Sequence, residues 1–277
     1  MTKPVALTIA GSDSGGGAGI QADIKAMEAN GVYAASVLTS VTAQNTQAVQ
    51  MAYDLPTQIV ARQIDAVAND LDIRVAKTGM LSAPEIIETV ADRVQAHDLF
   101  PFVVDPVMIS KSGFKLLKDE AVGTLKDTLI PLATTVTPNV HEAALLAGYD
   151  ILTMDDVKQA ARDIFELGPE SVLVKGGHLD DDPEAVDVLY DGDTFRSFTA
   201  SRVDTSNTHG TGCTFASAIA AHLAHGRDLP EAIDRAKRYL TGALRHSLDL
   251  GKGHGPTNHF FHLDADLAIA EVQSTAA

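Results

Sequence analysis

Val5-Ala6-Leu7-Thr8-Ile9-Ala10 runs straight into Gly11-Ser12-Asp13-Ser14-Gly15-Gly16-Gly17-Ala18-Gly19, and Ile20, Ile24 and Met27 follow at helical spacing before Gly31. The first six residues are apolar or β-branched without alternation, the pattern of a strand buried on both faces. The later apolar residues share one helical face and end at a glycine, so a helix is expected over Gly17 to Asn30. Strand, glycine-rich turn and helix, in that order, make half of a β-α-β unit. The turn then lies at the carboxyl edge of a parallel sheet, where open α/β sheets bind ligands.

The alternation continues outward. Val32–Val41, Ile73–Lys77, Phe102–Val107, Thr134–Thr137 and Ser171–Lys175 read as strands. Pro56–Leu71, Pro84–Ala96, Asp119–Leu129, Glu142–Ala147 and Asp155–Leu167 read as helices. Val186–Tyr190 and Thr194–Phe198 flank Asp191-Gly192, a hairpin signal. Thr211–His225 and Pro230–Ser247 close the pattern as two helices. The expected fold class is α/β, with a central, mostly parallel sheet and helices on both faces. No linker or repeat interrupts it, so 1–277 is expected to be a single domain with a short polar tail at 273–277.

With 277 residues, 45% of them hydrophobic, the chain can build a sizeable core. No apolar run reaches membrane-spanning length, and none at the start suits a signal peptide, so a cytoplasmic protein is expected. The single cysteine, Cys213, excludes an intrachain disulfide and a cysteine-built zinc site. A net charge of −16 argues against nucleic-acid binding and reads as a solvated acidic surface.

Gly17-Ala18-Gly19-Ile20-Gln21-Ala22 fits the dinucleotide fingerprint G-x-G-x-x-A. That fingerprint needs an acid at the end of the next strand, where this chain has Ser40-Val41-Thr42-Ala43-Gln44-Asn45. The loop is left as a turn without a ligand, or as one whose backbone closely approaches a substrate. No G-x-x-x-x-G-K-[ST], H-E-x-x-H or G-x-S-x-G occurs.

Asn207-Thr208-His209-Gly210-Thr211-Gly212-Cys213-Thr214-Phe215 leads directly into a helix of small and apolar residues. Its glycines let several N–H groups converge at a positive helix end, an anion hole suited to a phosphoryl group in transfer. Cys213 falls in the first turn, where a lowered thiol pKa is expected. The other reading is a tightly packed helix start with an inert cysteine. Asp105, Asn139 with Glu142, and Lys175 each stand at a predicted strand end. The acids suit Mg²⁺ held partly through water, and Lys175 suits phosphate charge. Each alone is as readily a cap or turn residue; their common edge makes them a site.

Ala10 to Asp23, Ser40 to Asn45 and Lys77-Thr78-Gly79-Met80-Leu81 together resemble the hydroxymethylpyrimidine/phosphomethylpyrimidine kinases of thiamine biosynthesis. Val104-Asp105-Pro106-Val107, Thr137-Pro138-Asn139, Val174-Lys175-Gly176-Gly177-His178, Asn207 to Thr214 and Gly253-His254-Gly255-Pro256 continue the match, over about residues 5 to 262. The resemblance implies a ribokinase-like three-layer α/β/α fold, often a homodimer. It implies ATP with Mg²⁺, and phosphorylation of 4-amino-5-hydroxymethyl-2-methylpyrimidine and then of its monophosphate. By position it implies that Asp23 and Gln44 hold the pyrimidine, with Gly11 and Met80 lining the pocket. It gives Asp105, Asn139 and Glu142 to Mg-ATP, Lys175 to the phosphates, and Gly210, Thr211 and Gly212 to the anion hole. Cys213 stands where kinases of sugars and pyridoxal carry a general-base aspartate. Asp180 to Pro183 departs from the family pattern and is expected to be a surface loop. Pyridoxal kinase, and a non-catalytic pyrimidine-binding protein on the same fold, are the alternatives.

Overall fold

The computed structural model describes residues 3–110, 113–176 and 184–263. Gly177, His178, the loop expected at Asp180 to Pro183 and the tail expected at 273–277 lie outside the described residues.

The elements run β1 (Val5–Asp13), α1 (Gly19–Ala29), β2 (Tyr33–Gln44), β3 (Val49–Asp54), α2 (Thr57–Ala68), β4 (Ile73–Thr78), α3 (Pro84–Ala96) and β5 (Phe102–Val104). Then come α4 (Asp119–Thr124), β6 (Thr135–Val136), α5 (Val140–Ala147), α6 (Met154–Phe165), β7 (Val172–Lys175), β8 (Glu184–Tyr190), β9 (Phe195–Ser201), α7 (Thr211–Ala224) and α8 (Leu229–Arg245). Among the described residues the strands form one sheet in the order β3-β2-β1-β4-β5-β6-β7-β8-β9. The stretch from β2 to β7 is parallel; β3, β8 and β9 each run antiparallel to the preceding neighbour.

Ala6 through Ala10 of β1 are fully buried, as the unbroken apolar run requires of a central strand. Leu7 and Ile9 face a core with Val60 and Ile64 of α2 and Ile87 and Val90 of α3. Ala6 faces the other core, built on Met27 of α1, Phe215 and Ile219 of α7 and Ile233 of α8. Helices therefore cover both faces. The chain leaves β1 for β2 on one side and returns to β4 on the other. That reversal opens a crevice at the carboxyl ends of β1 and β4. Among the described residues no helix is long and apolar enough to cross a membrane.

Four expectations change. Strand β3 was not expected: it is an edge strand with Gln50 and Met51 exposed, so no buried alternation marks it. Strand β1 runs three residues further, because Ser12 and Asp13 pair with Val41 and Thr42 past a bulge. Strand β5 stops at Val104, before Pro106, which lacks a ladder donor. The helix expected over Asp119–Leu129 is an α-helix only to Thr124; a wider π turn then carries Leu125–Leu129 towards Pro131.

A charged pair is sealed inside this frame. Lys77 Nζ of β4 lies 2.8 Å from Asp23 Oδ1 of α1, and both side chains are 0% exposed. Thr8 donates to Asp23 Oδ2 at 2.6 Å and Ser217 to Oδ1 at 2.7 Å. Burial pulls the ammonium towards neutrality, but the Asp23 carboxylate with its hydrogen bond, joined by the charges of Asp105 and Cys213, together outweigh it, so the Lys77 pKa is raised and the charge is kept. This corrects the expectation that Asp23 holds the pyrimidine: its carboxylate is fully buried and already bonded to three side chains from β4, β1 and α7.

Lys77→Met leaves Asp23 as an uncompensated buried charge, at a cost of about 3–5 kcal/mol. Denaturant unfolding should show that loss, and Lys77→Met with Asp23→Leu should recover much of it. An unchanged midpoint for the single variant contradicts this account.

Candidate active site

The glycine loop after β1 is organised by one carboxylate. Asp13 Oδ1 accepts the Gly15 N–H at 2.7 Å, and Oδ2 accepts those of Gly17 and Ala18 at 3.0 and 2.8 Å. The same Oδ2 meets His209 Nε2 at 2.8 Å. Burial pushes the Asp13 pKa up, but the His209 contact and the loop N–H groups outweigh it and hold it below the usual carboxylate range. The loop ahead of α7 thereby docks on the loop after β1. A Cβ on Gly210 would lie 1.7 Å from the Gly17 carbonyl oxygen, and Gly210 has a φ of 77°, so only glycine closes this contact.

On the β2 side, Gly11 lies against Met80: a Cβ on Gly11 would be 3.0 Å from Met80 Sδ. Thr39 holds the Met80 carbonyl at 2.8 Å. Gln44, half-buried at the end of β2, has its amide 3.2 Å from Thr42 Oγ1 and 3.3 Å from His209 Nε2. Thr42 also donates to the Ser12 carbonyl at 2.9 Å, which ties Gln44 to the Gly11 segment.

On the β5–β7 side, Lys175 Nζ donates to Asp105 Oδ1 at 2.8 Å. Asn139 and Glu142 form the capping box of α5, each side chain bonding the other's N–H, at 2.9 and 2.8 Å. Burial pushes the Glu142 carboxyl up to about 7, with Lys175 opposing and Asp105 reinforcing. Burial lowers the Lys175 pKa, but Asp105 and Glu142 more than reverse that and it is raised. The start of α7 bears on the same cluster, since a Cβ on Gly212 would lie 3.4 Å from Lys175 Nζ and 3.9 Å from Asp105 Oδ2. The N–H groups of Gly212 and Cys213, in the first turn, lack carbonyl partners within the helix.

Cys213 is half-buried between the two sides, and its sulfur accepts the Gly19 N–H. Burial pushes the thiol up to about 12; Lys77 opposes, and Asp23 and Asp105 reinforce. The expected lowering by the helix terminus is overturned, because burial and two carboxylates outweigh the helix end.

The donor set suits a hard divalent cation. Asp105 Oδ2 is buried without a hydrogen-bond partner, and the Glu142 carboxylate stands beside it at the same cluster, with Lys175 between their charges. Among the described residues no group of three ligating side chains exists. Mg²⁺ commonly takes one or two carboxylates and completes its shell with water and phosphate oxygens.

Gly11, Met80 and Gln44 thus stand on one side, Asp105, Asn139, Glu142 and Lys175 on the other, and Gly210, Thr211, Gly212 and Cys213 between them. Asp23 stands apart, beneath the floor. Sequence reasoning gave no role to Asp13, His209 or Lys77. Asp13 and His209 lay inside the quoted motifs, and their pairing across 196 positions has no local signature. Lys77 had one signal, a lysine directly after the apolar Val75-Ala76 of an interior strand.

A family model described as phosphomethylpyrimidine kinase matches residues 13–258. The chain is 48% identical over 255 residues to the hydroxymethylpyrimidine/phosphomethylpyrimidine kinase of Bacillus subtilis, covering 92% of this chain and 94% of that one. It is 51% identical over 253 residues to the thiamine biosynthesis bifunctional protein of Geobacter sulfurreducens, covering 91% of this chain but 51% of the relative. The chain therefore spans about half the length of that bifunctional relative. In structure it is similar to an ADP complex of Bacillus subtilis pyridoxal kinase, with a TM-score of 0.87 and 40% identity over 93% of this chain and 98% of that one.

A thiol pushed up to about 12 carries almost no thiolate at neutral pH. Iodoacetamide should label Cys213 of the ligand-free protein at least about a hundredfold more slowly than an ordinary thiol at pH 7.5. The rate should still be climbing at pH 9; a plateau below pH 8 contradicts the burial argument. Glu142 gives a second expectation. Its folded pKa, about 7, is above its unfolded value, so the native state holds the proton more tightly. The stability it contributes is full below pH 4.5 and is lost as pH rises through 7. Glu142→Gln, which cannot titrate, should lose less melting temperature than wild type between pH 5 and pH 8. Equal losses contradict it.

Proposed function

The chain belongs to the phosphomethylpyrimidine kinase family, and from that premise we propose that it phosphorylates 4-amino-5-hydroxymethyl-2-methylpyrimidine, and then the monophosphate, with ATP. It is a phosphotransferase of thiamine biosynthesis on a ribokinase-like fold. The observation that carries the reading is the convergence of the α7 N-terminus, Lys175 and the unpartnered Asp105 Oδ2 at one point of the sheet edge. A non-catalytic binder has no use for such an arrangement.

In this reading Gln44 pairs with the aminopyrimidine edge through one donor and one acceptor, and Gly11 and Met80 bound the ring. Gly210, Thr211 and Gly212 present the helix end to the phosphoryl group in transfer. Lys175 and Asn139 take the phosphate side of the nucleotide. Asp105 and Glu142 hold Mg²⁺, which when bound neutralises phosphate charge. Cys213 enters as a neutral thiol that orients the substrate hydroxyl, not as a preformed thiolate base. Phosphoryl transfer through a loose transition state asks mainly for in-line positioning and charge neutralisation, and these residues supply both.

The same reading places the protein in the cytoplasm as a homodimer. Val41 pairs with Tyr53 and Ala43 with Met51, so these four share one face of the β2–β3 edge. Val41, Met51 and Tyr53 are exposed, an apolar patch that a second copy would cover.

Mass spectrometry of the protein with ATP, Mg²⁺ and the pyrimidine alcohol should find a product with one added phosphoryl group, then one with two. No phosphorylated product, or a higher kcat/KM for pyridoxal, contradicts the proposal. Sedimentation should give a dimer that Met51→Lys converts to monomer; a monomeric wild type removes the dimer.

A further inference from the structure

The contacts around His209 contain a conflict whose resolution assigns a role to three residues. Asp13 is nearly fully buried, and its Oδ2 lies 2.8 Å from His209 Nε2. A carboxylate only accepts, so Nε2 of His209 carries the proton and donates it to Asp13. A protonated ring nitrogen has no lone pair left. Yet Gln44 Nε2 lies 3.3 Å from that same nitrogen, which would set two donors face to face.

The other end of the amide has the mirror problem. Gln44 Oε1 lies 3.2 Å from Thr42 Oγ1, whose single proton already goes to the Ser12 carbonyl at 2.9 Å. Two acceptors then face each other. Turning the amide over about its last torsion resolves both, and amide oxygen and nitrogen are assigned by the network around them. Oε1 then takes the longer arm of a bifurcated bond from the His209 Nε2–H, whose shorter arm is the 2.8 Å bond to Asp13, and the NH₂ donates to Thr42 Oγ1.

We propose that Asp13 and His209 are positioning residues for substrate choice: with Thr42 they lock the Gln44 amide in one orientation and so set which pyrimidine edge it pairs with. The proposal rests on the kinase reading and deepens it. With the amide locked, one N–H and one oxygen lone pair remain for a ligand, in a fixed order. A 4-aminopyrimidine offers an amino donor beside a ring-nitrogen acceptor. Its 4-oxo analogue offers a carbonyl acceptor beside a ring N–H donor, the reverse order. The hydroxymethyl group must face Cys213 in both, so the ring cannot turn over to compensate. Only one of the two can be paired by a locked amide; a free amide turns and pairs with either. His209 also directly precedes Gly210, so the element that locks the amide is the one that places the anion hole.

The test compares kcat/KM for the 4-amino alcohol and its 4-oxo analogue in wild type, His209→Leu and Thr42→Val. Melting temperature and the KM for ATP are followed in parallel. Thr42→Val removes the other anchor of the amide with little change of shape and serves where His209→Leu fails to fold. Wild type should prefer the amino alcohol by about a hundredfold or more, as expected when a wrong edge leaves buried groups unpaired. Each variant should narrow that preference to about tenfold or less, with the KM for ATP unchanged within about threefold. An unchanged preference in the folded variants overturns the proposal. So does a preference lost only in step with melting temperature and ATP affinity, which marks a general brace. A wild type that phosphorylates neither alcohol removes the kinase reading, and this proposal with it.

Discussion

The buried pair of Lys77 and Asp23 is the constraint on which the site depends. It joins β4 to α1, and through Thr8 and Ser217 it also holds β1 and α7. Those are the elements whose ends form the crevice at the topological reversal. Charges taken out of water are tolerated only when fully paired and hydrogen-bonded, and this pair meets that condition on every side the structure shows. Its position also explains the thiol above it. Cys213 feels Lys77 and Asp23 with opposite sign, and burial is the largest influence on its ionisation.

Above this floor, the site closes by backbone contact. Gly210 meets the Gly17 carbonyl with no room for a side chain, and the Gly19 N–H reaches the Cys213 sulfur. The Gly253-His254-Gly255 strap joins in. Its N–H groups bond Thr46 and Asn207, and its Gly255 carbonyl accepts from the His209 N–H. The pyrimidine end and the phosphoryl end of the cleft are thus parts of one hydrogen-bonded assembly rather than two pockets. A kinase that must align a hydroxyl with a phosphorus atom gains from that rigidity, because in-line geometry is most of its catalysis.

How much of this was legible follows from where each signal resides. Val5 to Gly19 announced strand, turn and helix, because local periodicity and glycine chemistry act over a few residues. Pro84 announced the start of α3 at the residue where it begins, because a first-turn proline loses no hydrogen bond. Asp105, Glu142, Lys175 and the 207–214 segment could be nominated because strand ends of a parallel sheet share an edge. Asp23 went astray because sequence position does not say whether a side chain in the first turns of a helix faces the cleft or the core. The cysteine pKa went astray because the helix terminus is a local feature, whereas burial and the Asp105 carboxylate arrive from distant parts of the chain. Edge strand β3 went unseen because an exposed strand carries no burial pattern.

The central claim is geometric: one cleft at the carboxyl ends of β1 and β4 holds the alcohol between Gln44 and Cys213 and turns it towards the start of α7. A crystal structure with a nonhydrolysable ATP analogue and the pyrimidine alcohol tests it most directly. The account predicts γ-phosphate oxygens within about 3 Å of the Gly212 and Cys213 N–H groups. It also predicts the hydroxymethyl oxygen beside Cys213 Sγ and the amino edge of the ring on Gln44. A pyrimidine seated away from Gln44, or a γ-phosphate remote from the first turn of α7, would contradict it.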